Sequence, residues 1–555
     1  MFFRQKRSGK HTYLQIVENR WEDGRSKQRV IATLGRLDEL RKQGRFDGLL
    51  RSGAKFSQAA LLLTAQQKGE LPVISTTQLG PELIFQRLWS ELKIPQVLEG
   101  LLGGRRFGFP VERAVFFTVM HRLFHSGSDR PCLVWKEEYH LPGTESLQLH
   151  QLYRAMAWLG EPLGEGDQDG ATPFAPRCIK DQIEEGLFHR RRDLFSELAL
   201  VFYDTTSIYF EGLGGETLGQ YVHSKDHRPD RLQMVVGVVL DGEGRPLCCE
   251  LWPGNTTDVK TLLPIVDRLR KRFAIGSVCV VADRGVISQD TIEQLQSQER
   301  GVHYILGARL RSVKEIREKV LSHPGRYHEV YGPKKKSDDP APLQVKNVRI
   351  DGRRYVVCLN VAQAKKDRAD REAIVATLAE QLKRGDKSLV GNRGYRKYLK
   401  GGTTHFEIDG RKIKAEARYD GKWVLRSDLD ELSAEDVALR YKQLWTVEDC
   451  IRSIKSILET RPIYHHHHHH ETIRGHVFCS FLALVLRKEL QDRLTATGHS
   501  AEWADVLRDL ESLQWVEVEH QQKRFRLRTE ARGVCRQVFQ AAGVAFPPTF
   551  EQRME

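Results

Sequence analysis

Apolar residues recur with two different periods along this chain, and the period changes near residue 196. Upstream, "PELIFQRLWSELKI" and "HQLYRAMAWLGE" repeat every three or four positions, the spacing of one helix face, and predict a helical domain over 76–195. Nearer the start, "YLQIVENRWEDGRSKQRVIATLG" alternates on either side of a Gly-containing turn. That pattern predicts a β-hairpin carrying arginines and lysines, with polar helix over 37–70, so residues 1–75 form one region. Downstream of residue 196 the runs shorten. "ALVFYDTTS" (199–207) and "SVCVVADRG" (277–285) are too short and too β-branched for helices. Each reads as a buried strand that stops at an acid, Asp204 and Asp283.

Between them, "QMVVGVVLDGEGRPLCCELWPGN" predicts two strands around a turn, then a helix from Thr257–Asp258 to about Phe273. A helix over 288–299 and the strand "VHYILGA" follow. Strands in a meander, then alternating with helices, make a mixed α/β sheet over 196–309. Residues 310–430 break the alternation. "VRIDGRRYVV", "HFEIDGRKIKAE" and "ARYDGKWVLRSD" each place Asp-Gly between strand-like runs, a hairpin cue, and one helical stretch, "DRADREAIVATLAEQLKRGD", interrupts them. The segment reads as a β-rich insertion domain. No fixed-period repeat runs through the chain.

A third acid lies in "SAEDVALRYKQLWTVEDCIRSIKSILE". Ser433 and Asp436 form a capping-box start, and helical periodicity follows. Tyr441, Glu448 and Lys455 are spaced seven apart, so one continuous helix would put them on one face, with Val437, Leu444 and Ile451 beside it. Residues 431–495 hold this helix and the closing helix "IRGHVFCSFLALVL", and 496–555 read as a C-terminal helical region.

Three carboxylates from two strands and a helix can hold divalent cations. Magnesium takes hard oxygen ligands, and two ions about 3.5–4 Å apart can activate an attacking oxygen and stabilise a leaving one. Each acid has a bland reading too: an Asp after a strand is a common turn or helix cap, and Asp449 competes with Glu448.

The net charge of +14 and pI near 9.3 favour a polyanionic partner. "GNRGYRKYLKGG" interleaves Arg393, Arg396, Lys397 and Lys400 with two tyrosines, a composition suited to phosphates and bases. Nine scattered cysteines without a C-x-x-C pair argue against a zinc framework and fit a reducing compartment. The longest apolar stretches fall short of the ~18–20 residues that span a bilayer, so the expectation is a cytoplasmic protein with no membrane partner. "YHHHHHHET", with His465 to His470, reads as an exposed loop with incidental affinity for softer metals than magnesium.

Several ordered motifs together carry a resemblance: "YDTTSIYFEG", "YVHSKDHRPDRLQMVVGVVLD", "WPGNTTDVKTL", "VADRG" and "YKQLWTVEDCIRSIK". The chain resembles a DDE transposase of a bacterial insertion sequence, in the type-four insertion-sequence superfamily. The resemblance implies an RNase H-like mixed sheet with helices, interrupted by a β-strand insertion, and it runs through most of the chain. By position, Asp204, Asp283 and Glu448 match the three family acids. The superfamily's Tyr-x2-Arg-x3-Glu-x6-Lys pattern finds Tyr441, Glu448 and Lys455 here, but leucine stands at the arginine position, 444, with Arg452 as a substitute. In the family these polar residues hold phosphates of the transposon end, and an insertion-domain tryptophan stacks on a flipped base in some members. Trp423 is the candidate for that role, and Arg284 beside Asp283 joins the DNA-contacting set.

The implied activity is magnesium-dependent hydrolysis at the terminal inverted repeats, with two ions and Mn2+ as a substitute. Attack of the freed 3′-OH on target DNA follows. The implied partners are double-stranded DNA and a second copy, as a homodimer in a synaptic complex, associated with the bacterial nucleoid when on DNA. Two other readings remain at this stage: a catalytically silent end-binding or regulatory protein of the same ancestry, and an RNase H-like nuclease.

Overall fold

The structure is a computed structural model. It describes the chain apart from residues 23–24, 55–72, 127–130, 170, 172–174, 192–197, 212–216, 222–227, 274–276, 284, 286–288, 297–301, 335–338, 385–396, 402–405, 465–469, 521–522 and 553–555. Two units emerge: residues 1–81 with 502–539 and 545–555, and residues 82–501 with 540–544.

In the first unit, the expected hairpin is β2 (His11–Glu22) with β3 (Arg25–Arg36), and β1 (Phe2–Ser8) adds a third antiparallel strand. Two short helices follow, α1 (Leu37–Lys42) and α2 (Arg45–Ala54). A second sheet has the order β18-β17-β16-β4, from β4 (Val73–Gln78), β16 (Gln514–His520), β17 (Lys523–Arg528) and β18 (Phe550–Gln552). Residues 496–555 were expected to be helical, and these strands correct that. Phe525 and Leu527 are buried between Arg524 and Arg526, a period of two that a helix cannot bury on one side. Among the described residues beyond 501, the helices are α16 (Trp503–Glu511) and α17 (Cys535–Ala542).

The second unit opens with helices α3 (Gly80–Glu91), α4 (Ile94–Leu102), α5 (Val111–Phe124), α6 (Cys132–Glu138), α7 (Leu149–Leu159) and α8 (Ile179–Arg191). A nine-stranded sheet follows in the order β10-β11-β12-β15-β9-β8-β5-β6-β7. Its acid-bearing half comprises β5 (Leu198–Tyr209), β6 (Gln233–Asp241), β7 (Pro246–Pro253), β8 (Ser277–Ala282) and β9 (Val302–Gly307), with β5, β8 and β9 mutually parallel. Helices α9 (Asp258–Phe273) and α10 (Gln289–Leu295) connect these strands. The fold is thus mixed α/β, built on one large mixed sheet.

The strands of 310–430 extend that same sheet. β15 (Lys422–Ser427) pairs with β9, then come β12 (Arg353–Leu359), β11 (Leu343–Ile350) and β10 (His328–Tyr331). The long helix α11 (Val361–Arg384) and a small pair, β13 (Leu399–Gly401) with β14 (Phe406–Ile408), lie between. Of the three Asp-Gly cues, only Asp351–Gly352 makes a hairpin. Asp409 instead caps α12 (Gly410–Ala417), its side chain accepting from the N–H groups of Arg411 and Lys412. Asp420–Gly421 turns helix into β15. Gly421 is required there: its φ is +61°, and a Cβ would come within 2.3 Å of the Asn360 carbonyl oxygen. The chain closes with α13 (Ala434–Lys442), α14 (Trp445–Arg452) and α15 (His470–Ala496).

All nine cysteines are buried and free, Cys248 and Cys249 among them. Among the described residues no helix is long and apolar enough to cross a membrane.

Candidate active site

β5 and β8 run parallel, with Tyr203 opposite Ala282. Asp204 is the next residue of β5 and Asp283 the residue just beyond β8, so the register carries the two acids side by side. Val201, Tyr203, Val278, Val280 and Ala282 share a core cluster with Leu262, Ile265 and Leu269 of α9. Side chains alternate along a strand, so both acids project to the face opposite α9. β8 stops at Ala282 as expected. β5 does not stop at Asp204: it continues to Tyr209, paired with β6 throughout. Thr205, Thr206 and Ile208, all β-branched, keep its ladder on that side after β8 has left.

Asp204 Oδ1 accepts from the Thr205 N–H at 2.7 Å. Asp283 Oδ1 accepts from the Tyr441 O–H at 3.0 Å. Tyr441 lies in the last turn of α13, which packs against β8, β9, β15, β12 and β11, so α13 covers the face that bears the acids.

The single helix expected through Tyr441, Glu448 and Lys455 is interrupted. α13 ends at Lys442 and α14 begins at Trp445. Across the joint the backbone tightens to three-residue spacing: Leu444 N–H to Tyr441 O at 3.0 Å, Thr446 N–H to Gln443 O at 2.9 Å, Val447 N–H to Leu444 O at 3.1 Å. After Arg452 the chain widens into a π-helical turn, Ser453–Ile457, which carries Lys455. A tight turn and a wide turn both depart from 3.6 residues, so the shared face inferred from spacing does not hold. The cause is burial: Leu444 is 5% exposed, and the joint lets α14 pack against β5 and β6 instead of continuing along α13.

Glu448 is exposed on α14 and makes no side-chain hydrogen bond or ion pair among the described residues. Asp449 is engaged: it lies 3.8 Å from Arg452 Nη1, and its charge supports the guanidinium of Arg487, which burial pulls down. Between the two acids, Asp449 has a structural occupation and Glu448 does not. Among the described residues no group of three His, Cys, Asp or Glu side chains gathers as a metal site. The β5–β8 register carries Asp204 and Asp283 to neighbouring positions, and among the described residues no third such side chain gathers with them. Two adjacent carboxylates of hard oxygen still fit a divalent cation that takes further oxygens from water or phosphate.

Trp423 is half-buried in β15, opposite Cys358 on β12. In the adjoining register Leu425 faces Gly307 of β9. Gly307 continues the row of Asp204 and Asp283, since Leu306 is level with Ala282. Two residues further along, Trp423 projects to the same side as Leu425, and Lys442 is the charge that acts on Cys358 there. Lys442 Nζ sits 5.3 Å from the Tyr331 ring centre.

Arg452 is 70% exposed, and Lys455 is half-buried. Lys397 is exposed with Nζ over the Tyr398 ring, and Lys400 pairs with Glu407 at 2.8 Å. Arg284, Arg393, Arg396 and His465 to His469 lie outside the described residues. Arg474 and His476 of α15 are buried; His476 Nδ1 accepts from Arg122 Nη2 at 3.0 Å. Sequence reasoning missed the Tyr441–Asp283 bond, for which no local signal exists.

Residues 197–486 match the family model described as a transposase DDE domain, and residues 3–67 match that of the IS1634 family transposase N-terminal domain. None of the curated proteins matches. Among solved structures the chain is similar to the piggyBac transposase in a synaptic complex with hairpin DNA, at 11% identity and a TM-score of 0.37, over 78% of this chain and 79% of that one. It is also similar to the Drosophila P element transposase in a strand transfer complex, at 12% identity and a TM-score of 0.22, over 73% and 87% respectively. Both superpositions are loose.

Proposed function

We propose a role for this chain from one premise: it belongs to the DDE transposases, whose domain model its residues 197–486 match. It is the transposase of an insertion sequence. It binds the terminal inverted repeats, hydrolyses the DNA there and joins the freed 3′-OH to target DNA. The observation that carries this is the side-by-side placement of Asp204 and Asp283 on the face that α13 covers. The order β7-β6-β5-β8-β9 fits an RNase H-like core, with β5, β8 and β9 parallel.

Asp204, Asp283 and Glu448 are the acids that hold divalent cations, two Mg2+ ions with Mn2+ as a substitute. When bound, such ions polarise a phosphodiester and lower the pKa of an attacking water. Glu448, without a side-chain partner among the described residues, completes the set once DNA is present. Arg452, Lys455, Lys397, Arg284, Arg393 and Arg396 contact DNA phosphates. Trp423, on the acid-bearing face beside the Lys442 end of α13, receives an unstacked base. The working assembly is a cytoplasmic homodimer holding two ends.

Cleavage of DNA carrying the inverted repeats tests the role directly. The expected result is Mg2+-dependent cutting at the repeat that Asp204→Ala, Asp283→Ala and Glu448→Ala each abolish, with end binding retained. End binding without cutting by the unaltered chain would indicate a silent binding protein, and cutting without regard to the repeat a general nuclease.

A further inference from the structure

We propose that Tyr441 is a positioning residue: its hydroxyl, 3.0 Å from Asp283 Oδ1, orients that carboxylate to receive a divalent cation, in place of holding a DNA phosphate. The inference rests on the reading of Asp283 as a cation-binding acid.

Asp283 stands one residue beyond the end of β8, where no ladder fixes its side chain. A carboxylate there has rotamers to lose before it can bind an ion, and a donor from another element removes that freedom in advance. Tyr441 is well placed to be that donor because its helix is anchored at both ends. At the start of α13, Ser433 Oγ accepts from the Asp436 N–H at 3.0 Å. At its end, the Tyr441 carbonyl accepts from the N–H of the buried Leu444. The next side chain, Lys442, lies over the Tyr331 ring.

A phenol has one proton to donate. While the hydroxyl serves Asp283 it cannot also serve a phosphate oxygen, so the two roles exclude each other. The remaining acceptor sites of Asp283 stay available to a cation, because a carboxylate offers about four. Leu444 enters the same arrangement indirectly: its burial sets the joint that ends α13 at Tyr441 and Lys442.

The test uses the full chain and Tyr441→Phe, which keeps the ring and removes only the hydroxyl. Mn2+ binding is followed by calorimetry and by the Mn2+ electron paramagnetic resonance signal; end-DNA binding is titrated against salt in a chelator. The expected result is Mn2+ affinity weaker by roughly 10–100-fold, as for loss of an outer-shell partner. End affinity and its salt slope stay unchanged. Unaltered Mn2+ affinity would overturn the proposal, and weaker end binding at an unchanged salt slope would then put the hydroxyl on a phosphate, because a neutral donor releases no counterion. Asp283→Asn, measured alongside, separates the two levels. If it leaves Mn2+ binding intact, the assignment of Asp283 fails; if it abolishes binding and Tyr441→Phe does not weaken it, only the role of Tyr441 fails.

Discussion

Two sets of carboxylates lie on opposite sides of one sheet, and their surroundings differ in kind. On the α9 side, Asp181 and Glu184 of α8 and Glu250 of β7 are buried with Lys180, Arg268 and Arg272. Arg272 alone reaches Glu184 at 2.5 Å, Glu250 at 2.9 Å and Glu185 at 2.9 Å; Lys180 reaches Asp181 at 2.6 Å, and Arg268 reaches Asp181 at 3.3 Å. On the other side, Asp204 and Asp283 stand level with each other, accepting from a backbone N–H and a phenol O–H. Where each acid meets fixed cations, charge is neutralised within the protein and nothing remains for an external ion. Where two acids stand at neighbouring strand positions, their like charges together attract one. Residue type does not separate the two sets; burial and the elements that surround them do.

The largest effect that sharpens this contrast is on activity. Asp204→Ala or Asp283→Ala should lower end cleavage by more than the ~10–100-fold typical of an outer-shell partner, with little change in melting. A large drop in melting temperature would place these acids in the structural class instead. Arg272→Met should do the reverse, lowering stability by about 3–5 kcal/mol in denaturant unfolding, because it strands buried acids without their shared cation. A stability change under ~1 kcal/mol would show that the buried set tolerates imbalance.

Leu444→Arg comes next. Its 5% exposure predicts the loss of up to roughly 1.5–3 kcal/mol of burial, read as a lower melting temperature. A fully stable variant that binds ends more tightly would mean the position is open to DNA.

The smallest effect is in pH. Burial pushes the Asp181 carboxyl up, but Arg272, Lys180 and Arg268 pull it further down, so it remains ionised in the folded protein. With a folded pKa below the ordinary 3.8, its contribution is present above pH 3.8 and drains away as pH falls below it. Stability measured from pH 5 downward should decline less steeply in Asp181→Asn. An identical slope would mean that the charges around Asp181 leave its pKa where it is in the unfolded chain.

Much of the fold is legible locally. The runs at 199–207 and 277–285, the β6–β7 meander and α9 follow from period, β-branching and turn residues, which depend only on near neighbours in the chain. The acids at the ends of two apolar runs were visible for the same reason. The buried ion set was not: on α8 and α9 its members occupy spacings that read equally well as a solvated helix face. Asp409 shows a similar limit, since Asp-Gly serves a hairpin and a helix start alike, and the partners of its side chain decide which forms.

What the sequence alone determined, then, is which acids are candidates for the chemistry and which segments bury their strands, because side-chain size and backbone sterics act over a few residues. Tertiary structure decided the rest. It brought Asp204 level with Asp283 through β5–β8 register, drew the strands of 310–430 into the main sheet, broke the helix at Gln443–Leu444, and set the Tyr441 hydroxyl on Asp283. Each of these joins residues far apart in the chain, and only packing of a whole sheet face fixes which of them meet.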